Sequence, residues 1–234
     1  MEKVKGLVLM AIVATAMPAT AQDKVEGTIA ADVVNQYIWR GQDLGDVSLQ
    51  PTLGIAYKGL SLTAWGSVGL SDPNDTKEFD LTVAWQKGGF HIGVTDYWFN
   101  TPNERYFDYA AHSTSHVFEA NVGYDFGPLA LNWYTNFAGN DGVNTSGDRA
   151  YSSYVEAAVP FALAGCQWTA TVGAVPYATS LYAEANGFAV TNVSVKATKD
   201  IRVTDSFSIP VFAGIATNPS SEKAWLLFGF TLKP

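Results

Sequence analysis

The chain has 234 residues, 47% of them apolar and 15% charged, with 7 Trp, 11 Tyr and 13 Phe, a net charge of −8 and one cysteine. So apolar a composition excludes a disordered chain, and the acidic excess is the wrong sign for nucleic-acid binding. One cysteine excludes an internal disulfide framework.

Residues 1–21 read as a secretory signal peptide. Lys3 and Lys5 form a positive start, Gly6 to Met17 an apolar stretch, and Ala19-Thr20-Ala21 a small-residue cleavage site before Gln22. The apolar stretch is short of the roughly 20 residues that a membrane helix needs. No cysteine stands immediately after the cleavage point, which speaks against a lipoprotein. Residues 22–234 then form one domain.

From there the dominant signal is alternation at period two. Leu129, Leu131, Trp133 and Phe137 interleave with Ala130, Asn132, Tyr134 and Asn136, and Phe79, Leu81, Val83 and Trp85 with Asp80, Thr82, Ala84 and Gln86. Twelve such runs follow one another, at 28–40, 47–57, 60–70, 78–87, 90–99, 116–126, 129–138, 151–161, 166–177, 188–198, 201–217 and 224–233. Their connections alternate long and short, with minimal turns at Lys58-Gly59, Gly88-Gly89, Gly127-Pro128 and Lys199-Asp200. Such a layout predicts an all-β, up-and-down antiparallel transmembrane β-barrel with one plain and one elaborated rim.

The polarity of the faces separates this from a soluble sandwich or lipocalin-like barrel, which would bury the apolar face. Here the polar face holds Asp32, Asp80, Glu119, Glu156, Lys196 and Arg202, groups that a dry core could not leave unpaired. Aromatics gather near the strand ends. Tyr37, Trp39, Tyr97, Phe137 and Tyr177 fall near the long-loop rim, and Tyr57, Trp85, Phe90, Tyr124 and Trp168 near the other, as two interfacial girdles would.

The segment Asp32-Val33-Val34-Asn35-Gln36-Tyr37-Ile38-Trp39-Arg40-Gly41 resembles the first-strand signature of the TorF-type porin family, in which an aromatic-Arg-Gly triplet ends the opening strand. That resemblance implies an outer-membrane location and a channel-like role, with no substrate. On the register of a continuous first strand, Arg40 shares the lumen side with Asp32 and Gln36, and Gly41 turns the chain at the rim. Arg40 then faces acids such as Asp80 or Glu119, either as part of a charged ring or as a bridge between strands. With Glu156, Lys196 and Arg202, the candidate pore lining has four acids against three bases. Trp65, Tyr134 and Tyr154 also point inward and narrow it.

Two further clusters draw attention. His112-Ser113-Thr114-Ser115-His116 with Glu119 has the residue types of a nucleophilic triad. The His-to-Ser spacing of barrel-embedded lipid hydrolases is missing, however, and Glu119 lies on the other face from His116. Asn140-Asp141-Gly142 with Asp148 offers oxygen ligands without EF-hand spacing. No catalytic or metal residue is assigned, and no cofactor is expected. The six long loops carry ten acidic against four basic side chains, most of the negative charge.

The expectation is a bacterial outer-membrane barrel, a small-solute channel first. A non-conducting structural or adhesive barrel comes second, and a lipid-modifying enzyme third. Its expected partners are outer-membrane lipid and lipopolysaccharide, small solutes, and the barrel-assembly machinery, which would read the last strand's apolar face of Leu226, Phe228, Phe230 and Leu232. Nucleic acid is not among them.

Overall fold

The computed structural model describes residues 24–72, 74–101, 104–110, 113–182 and 185–234. The signal peptide, His112 and Glu184 lie outside the described residues.

A strand with one apolar and one polar face makes a sheet with two unlike sides, and closing that sheet on itself removes its edges. The strands run in chain order as β1 (Glu26–Val34), β2 (Tyr37–Trp39), β3 (Gln42–Gly45), β4 (Ser48–Tyr57), β5 (Leu60–Gly69), β6 (Glu78–Lys87) and β7 (Phe90–Phe99). They continue as β8 (His116–Asp125), β9 (Ala130–Gly139), β10 (Ser153–Leu163), β11 (Cys166–Val175), β12 (Ala189–Arg202), β13 (Ser208–Asn218) and β14 (Lys223–Leu232). Twelve of them form one closed antiparallel barrel in which β1 pairs with both β4 and β14, while β2 and β3 make a separate hairpin. The expected barrel and its strand number are therefore present.

The faces are inverted relative to a soluble core. Leu53, Ile55, Leu62, Val83, Ile92, Val122, Leu131, Val172, Ile215, Leu226 and Phe228 are exposed on the outer wall. The inner face buries Ser67, Asp80, Thr82, Glu119, Asn132, Asn136 and Glu156.

Two strand boundaries differ from the sequence reading. The run 28–40 is not one strand. The wall ends at Val34, where the chain leaves the barrel and folds inward as the β2–β3 hairpin. Tyr37, Trp39 and Tyr97 accordingly face inward and are buried, rather than belonging to an outer girdle. At the other rim, Lys199 and Asp200 are not a turn but pair with Val211 and Pro210. The turn lies at Thr204-Asp205-Ser206, closed by the Val203 amide donating to the Phe207 carbonyl at 2.9 Å. These small polar residues bend the chain more readily than Lys-Asp.

The barrel closes on a short seam. Only four residue pairs join β1 to β14, Ala31–Val34 against Leu232–Gly229, whereas nine join β1 to β4. Asn35 extends the seam by one position with its side chain as well as its backbone. Its Nδ2 donates to the Leu226 carbonyl at 2.9 Å, and its Oδ1 accepts from the Phe228 amide at 2.6 Å. Asn35→Ala removes both bonds and leaves two strand groups unpaired. We expect it to lower unfolding stability by about 1–3 kcal/mol, read as a lower urea midpoint of the micelle-folded protein.

Candidate functional site: a hairpin clamped inside the barrel

The hairpin carries two residues of its turn, Arg40 and Gly41, both in the left-handed region at φ 51° and 79°. That is the signature of a type I′ connection, whose twist matches that of paired strands. The turn does not sit at the rim. It reaches into the lumen as far as β13, two strands round the barrel from β1, where the Asn218 side chain donates to the Gly41 carbonyl at 2.9 Å.

Three anchors hold the hairpin. Near its base, the Tyr37 hydroxyl donates to Glu78 of β6 at 2.9 Å. In its middle, Trp39 packs on Tyr97 and Tyr182, with ring centroids 5.5 and 5.7 Å apart. At its tip, the Arg40 guanidinium forks onto Glu119 of β8, with Nη1 on Oε2 and Nη2 on Oε1, the latter at 3.0 Å. Two hydroxyls complete the carboxylate's partners: Tyr97 donates to Oε1 and Tyr182 to Oε2, each at 2.8 Å. Arg40 and Glu119 are 3% and 2% exposed, so each charge depends on the other. Rings surround the guanidinium, with centroids at 4.0 Å for Tyr134, 4.5 Å for Trp39 and 4.8 Å for Tyr154.

Burial alone would lower the Arg40 pKa, but Glu119 together with the Tyr182 and Tyr97 hydroxyls outweighs it and holds the guanidinium firmly protonated. The Tyr182 hydroxyl is pushed well above the usual phenol range, first by burial. For Tyr37 the same shift comes from burial, then from Glu78 and Asp80. The clamp is thus one cation, one carboxylate and neutral phenols.

The structure brings some of the seven sequence candidates together and scatters others. Arg40 and Glu119 meet directly. Asp80 lies buried two residues along β6 from Glu78, and its Oδ1 has no hydrogen-bond partner among the described residues. Asp32 stands on β1 and accepts from Thr231 Oγ1 at 2.5 Å. Glu156 of β10 accepts from the Tyr154 hydroxyl at 3.0 Å, and the Lys196 ammonium of β12 lies 4.0 Å from the centroid of Phe212. Arg202 is not in the mid-lumen. It keeps inward parity but sits at the rim with its side chain 68% exposed, paired with Asp205.

Sequence reasoning missed Tyr97, Tyr182, Glu78 and Asn218. Parity could have found Tyr97, because it shares the small and polar side of its strand with His91, Gly93 and Thr95. Glu78 likewise shares the parity of Asp80. Tyr182 reaches in from a loop and carries no such signal.

Of the other two clusters, the first is described only from Ser113 onward, since His112 lies outside the described residues. His116 lies on the outer wall, roofed by Tyr109, whose ring stacks on it at 4.5 Å. Both imidazole nitrogens are engaged, Nδ1 with Asp96 at 2.7 Å and Nε2 with the Tyr106 carbonyl at 2.5 Å. Asp141 is bound by Arg149 at 2.5 Å and accepts from the Ser152 amide at 3.4 Å.

The hairpin does not fill the lumen evenly. On the β4–β9 side it packs against the wall through the clamp. On the other side a cavity of about 80 Å³ remains between Ile38, Arg40 and Gly41 and the inner face of β10–β13, lined there by Glu156, Thr169, Thr171, Asn192, Ser194 and Lys196. The fold and site together define a closed antiparallel barrel with an inward-folded hairpin constricting a polar lumen. No family model and no curated protein matches the chain.

Proposed function

We propose that this is a bacterial outer-membrane barrel that passes small polar solutes through a lumen narrowed by its own hairpin. The observation that carries the reading is the polar cavity left between the hairpin and the β10–β13 wall. A space of that size accommodates two or three waters at roughly 30 Å³ each, so the resting passage suits water, ions and the smallest solutes.

The membrane setting is supported by an exposed apolar wall around a buried polar interior, the arrangement lipid requires. Barrel strands of mostly 10 residues match a tilted bilayer crossing. The likeness of residues 32–41 to the TorF-type porins agrees with the same setting, as does a leader at 1–21. Lipid and lipopolysaccharide would then surround the wall, and the assembly machinery would act on β14.

The tightness of the Arg40 clamp favours one other reading, a barrel that stays shut and works through its acidic loops. Planar-bilayer recording separates the two. The intact protein should give small discrete steps, and a variant with residues 36–46 replaced by Asn-Gly should give steps several times larger. Silence from both, with folded and inserted protein, would decide for the shut barrel. Recovery in the soluble fraction would overturn the membrane reading.

A further inference from the structure

We infer that Glu78 and Asp80, side by side on the inner face of β6, form a calcium site at the base of the hairpin. The site goes beyond the channel reading and does not depend on conduction.

The buried acids of the lumen and its rim are otherwise provided for. Glu119 has the Arg40 fork and two phenols, Asp141 has Arg149, and Glu156 has the Tyr154 hydroxyl. Asp80 differs. It is 2% exposed, its Oδ1 is buried without a hydrogen-bond partner, and the neighbour its carboxyl group meets is another acid, Glu78. Glu119 and Asp96 lie close enough to add further negative potential at Asp80. No Lys or Arg comes within 4 Å of either carboxylate among the described residues, and Arg40 is committed to Glu119. Two ionised carboxylates cannot share a buried site without a counter-charge. Something positive must stand between them.

The donor set identifies which ion. Every ligand on offer is oxygen, which selects a hard cation over zinc or copper. Besides the two carboxylates there are two neutral hydroxyls. Tyr37 reaches Glu78 at 2.9 Å, and Ser67, fully buried, stands directly opposite Glu78 on β5. Together they match the lower end of calcium's shell of about 6–8 oxygens. Magnesium keeps several of its waters, which a pair this deeply buried does not accommodate. A monovalent ion would leave one negative charge buried, whereas a divalent one neutralises the pair. Tyr37 belongs to the hairpin, so the same ion would tie β2 to β6 where the hairpin starts.

The test uses the mature chain folded in detergent micelles, stripped with EDTA and titrated with CaCl2 or, as a luminescent stand-in, TbCl3. Trp65 stands directly opposite Asp80, so terbium held by the pair should emit when tryptophan is excited, and calcium should quench that emission by displacement. Asp80→Asn and Glu78→Gln each remove one charged ligand at nearly constant volume. Each should weaken calcium at this site at least about tenfold, lower the terbium emission and remove one bound ion from the stoichiometry. Ions held by the acidic loops should remain in both variants. Calcium should also raise the urea midpoint of the intact protein more than that of either variant, because the site exists only in the folded chain. Glu78→Gln serves as the second variant should Asp80→Asn fail to fold. Calcium stoichiometry and terbium emission that both variants retain in full would overturn the site and leave the pair holding a proton.

Discussion

Arg40→Ala is expected to open the lumen and to destabilise the barrel at once. The substitution leaves Glu119 buried with two phenolic donors and no cation, a situation that costs about 3–5 kcal/mol when one member of a buried pair is removed. The hairpin also loses the guanidinium packed among the rings of Tyr134, Trp39 and Tyr154. Conductance in a planar bilayer should rise several-fold, and the urea midpoint should fall. Removing both charges, as Arg40→Met with Glu119→Gln, should recover most of the stability, because neutral side chains of similar volume often replace a buried pair at little cost. Lys at position 40 should not rescue the single variant: its compact ammonium cannot fork onto both Glu119 oxygens. An Arg40→Ala protein with unchanged conductance and unchanged midpoint would show that the clamp does not hold the hairpin.

Most of the barrel was legible because its physics is periodic. Side chains alternate across every strand, so twelve runs with opposed faces, joined by alternating long and short connections, imply an up-and-down closed sheet. The hairpin was illegible for the same reason. From Val34 through Tyr37 to Trp39 the alternation persists, since β2 is also a strand, with Tyr37 and Trp39 on one side and Ile38 on the other. Period two reports that the chain is extended, not which wall it belongs to. Asn35 is where the path changes, and its role depends on carbonyl and amide groups of β14 about 190 residues away. The pairing of Arg40 with Glu119 was among the options the charges allowed, but the route was different: the arginine arrives on a hairpin tip, not on the first strand. Lys196 and Glu156 lay on the inward parity from the start. Arg202 had the same parity and failed as a lumen residue because parity does not report height along the barrel.

Gly41→Ala should displace the hairpin tip with the pairing of the wall intact. A methyl group at this position would stand 1.7 Å from the Thr191 carbonyl oxygen and 3.3 Å from the Asn218 Cβ. The obstacle is backbone. Thr191 is the extra residue of a bulge in β12, where Gly173 opposes Asn192 but Ala174 opposes Val190. Bulges redirect the local backbone, and here the glycine of the hairpin lies against the Thr191 carbonyl. The tip must therefore move away by at least about 1 Å, a shift that close-packed surroundings do not absorb without rearrangement. Retreat breaks the bond from Asn218 to the Gly41 carbonyl and slackens the Arg40 fork one residue away. Left-handed backbone adds about 1–2 kcal/mol of strain for any residue other than glycine. Gly147 separates the two contributions, since its φ is 83° and nothing lies within 4 Å of an added methyl. Gly147→Ala should show the strain alone, with conductance unchanged, whereas Gly41→Ala should raise conductance and shift Trp39 fluorescence. Equal behaviour of the two variants would mean that the contact with Thr191 does not seat the hairpin, and would return the constriction to the Arg40 clamp alone.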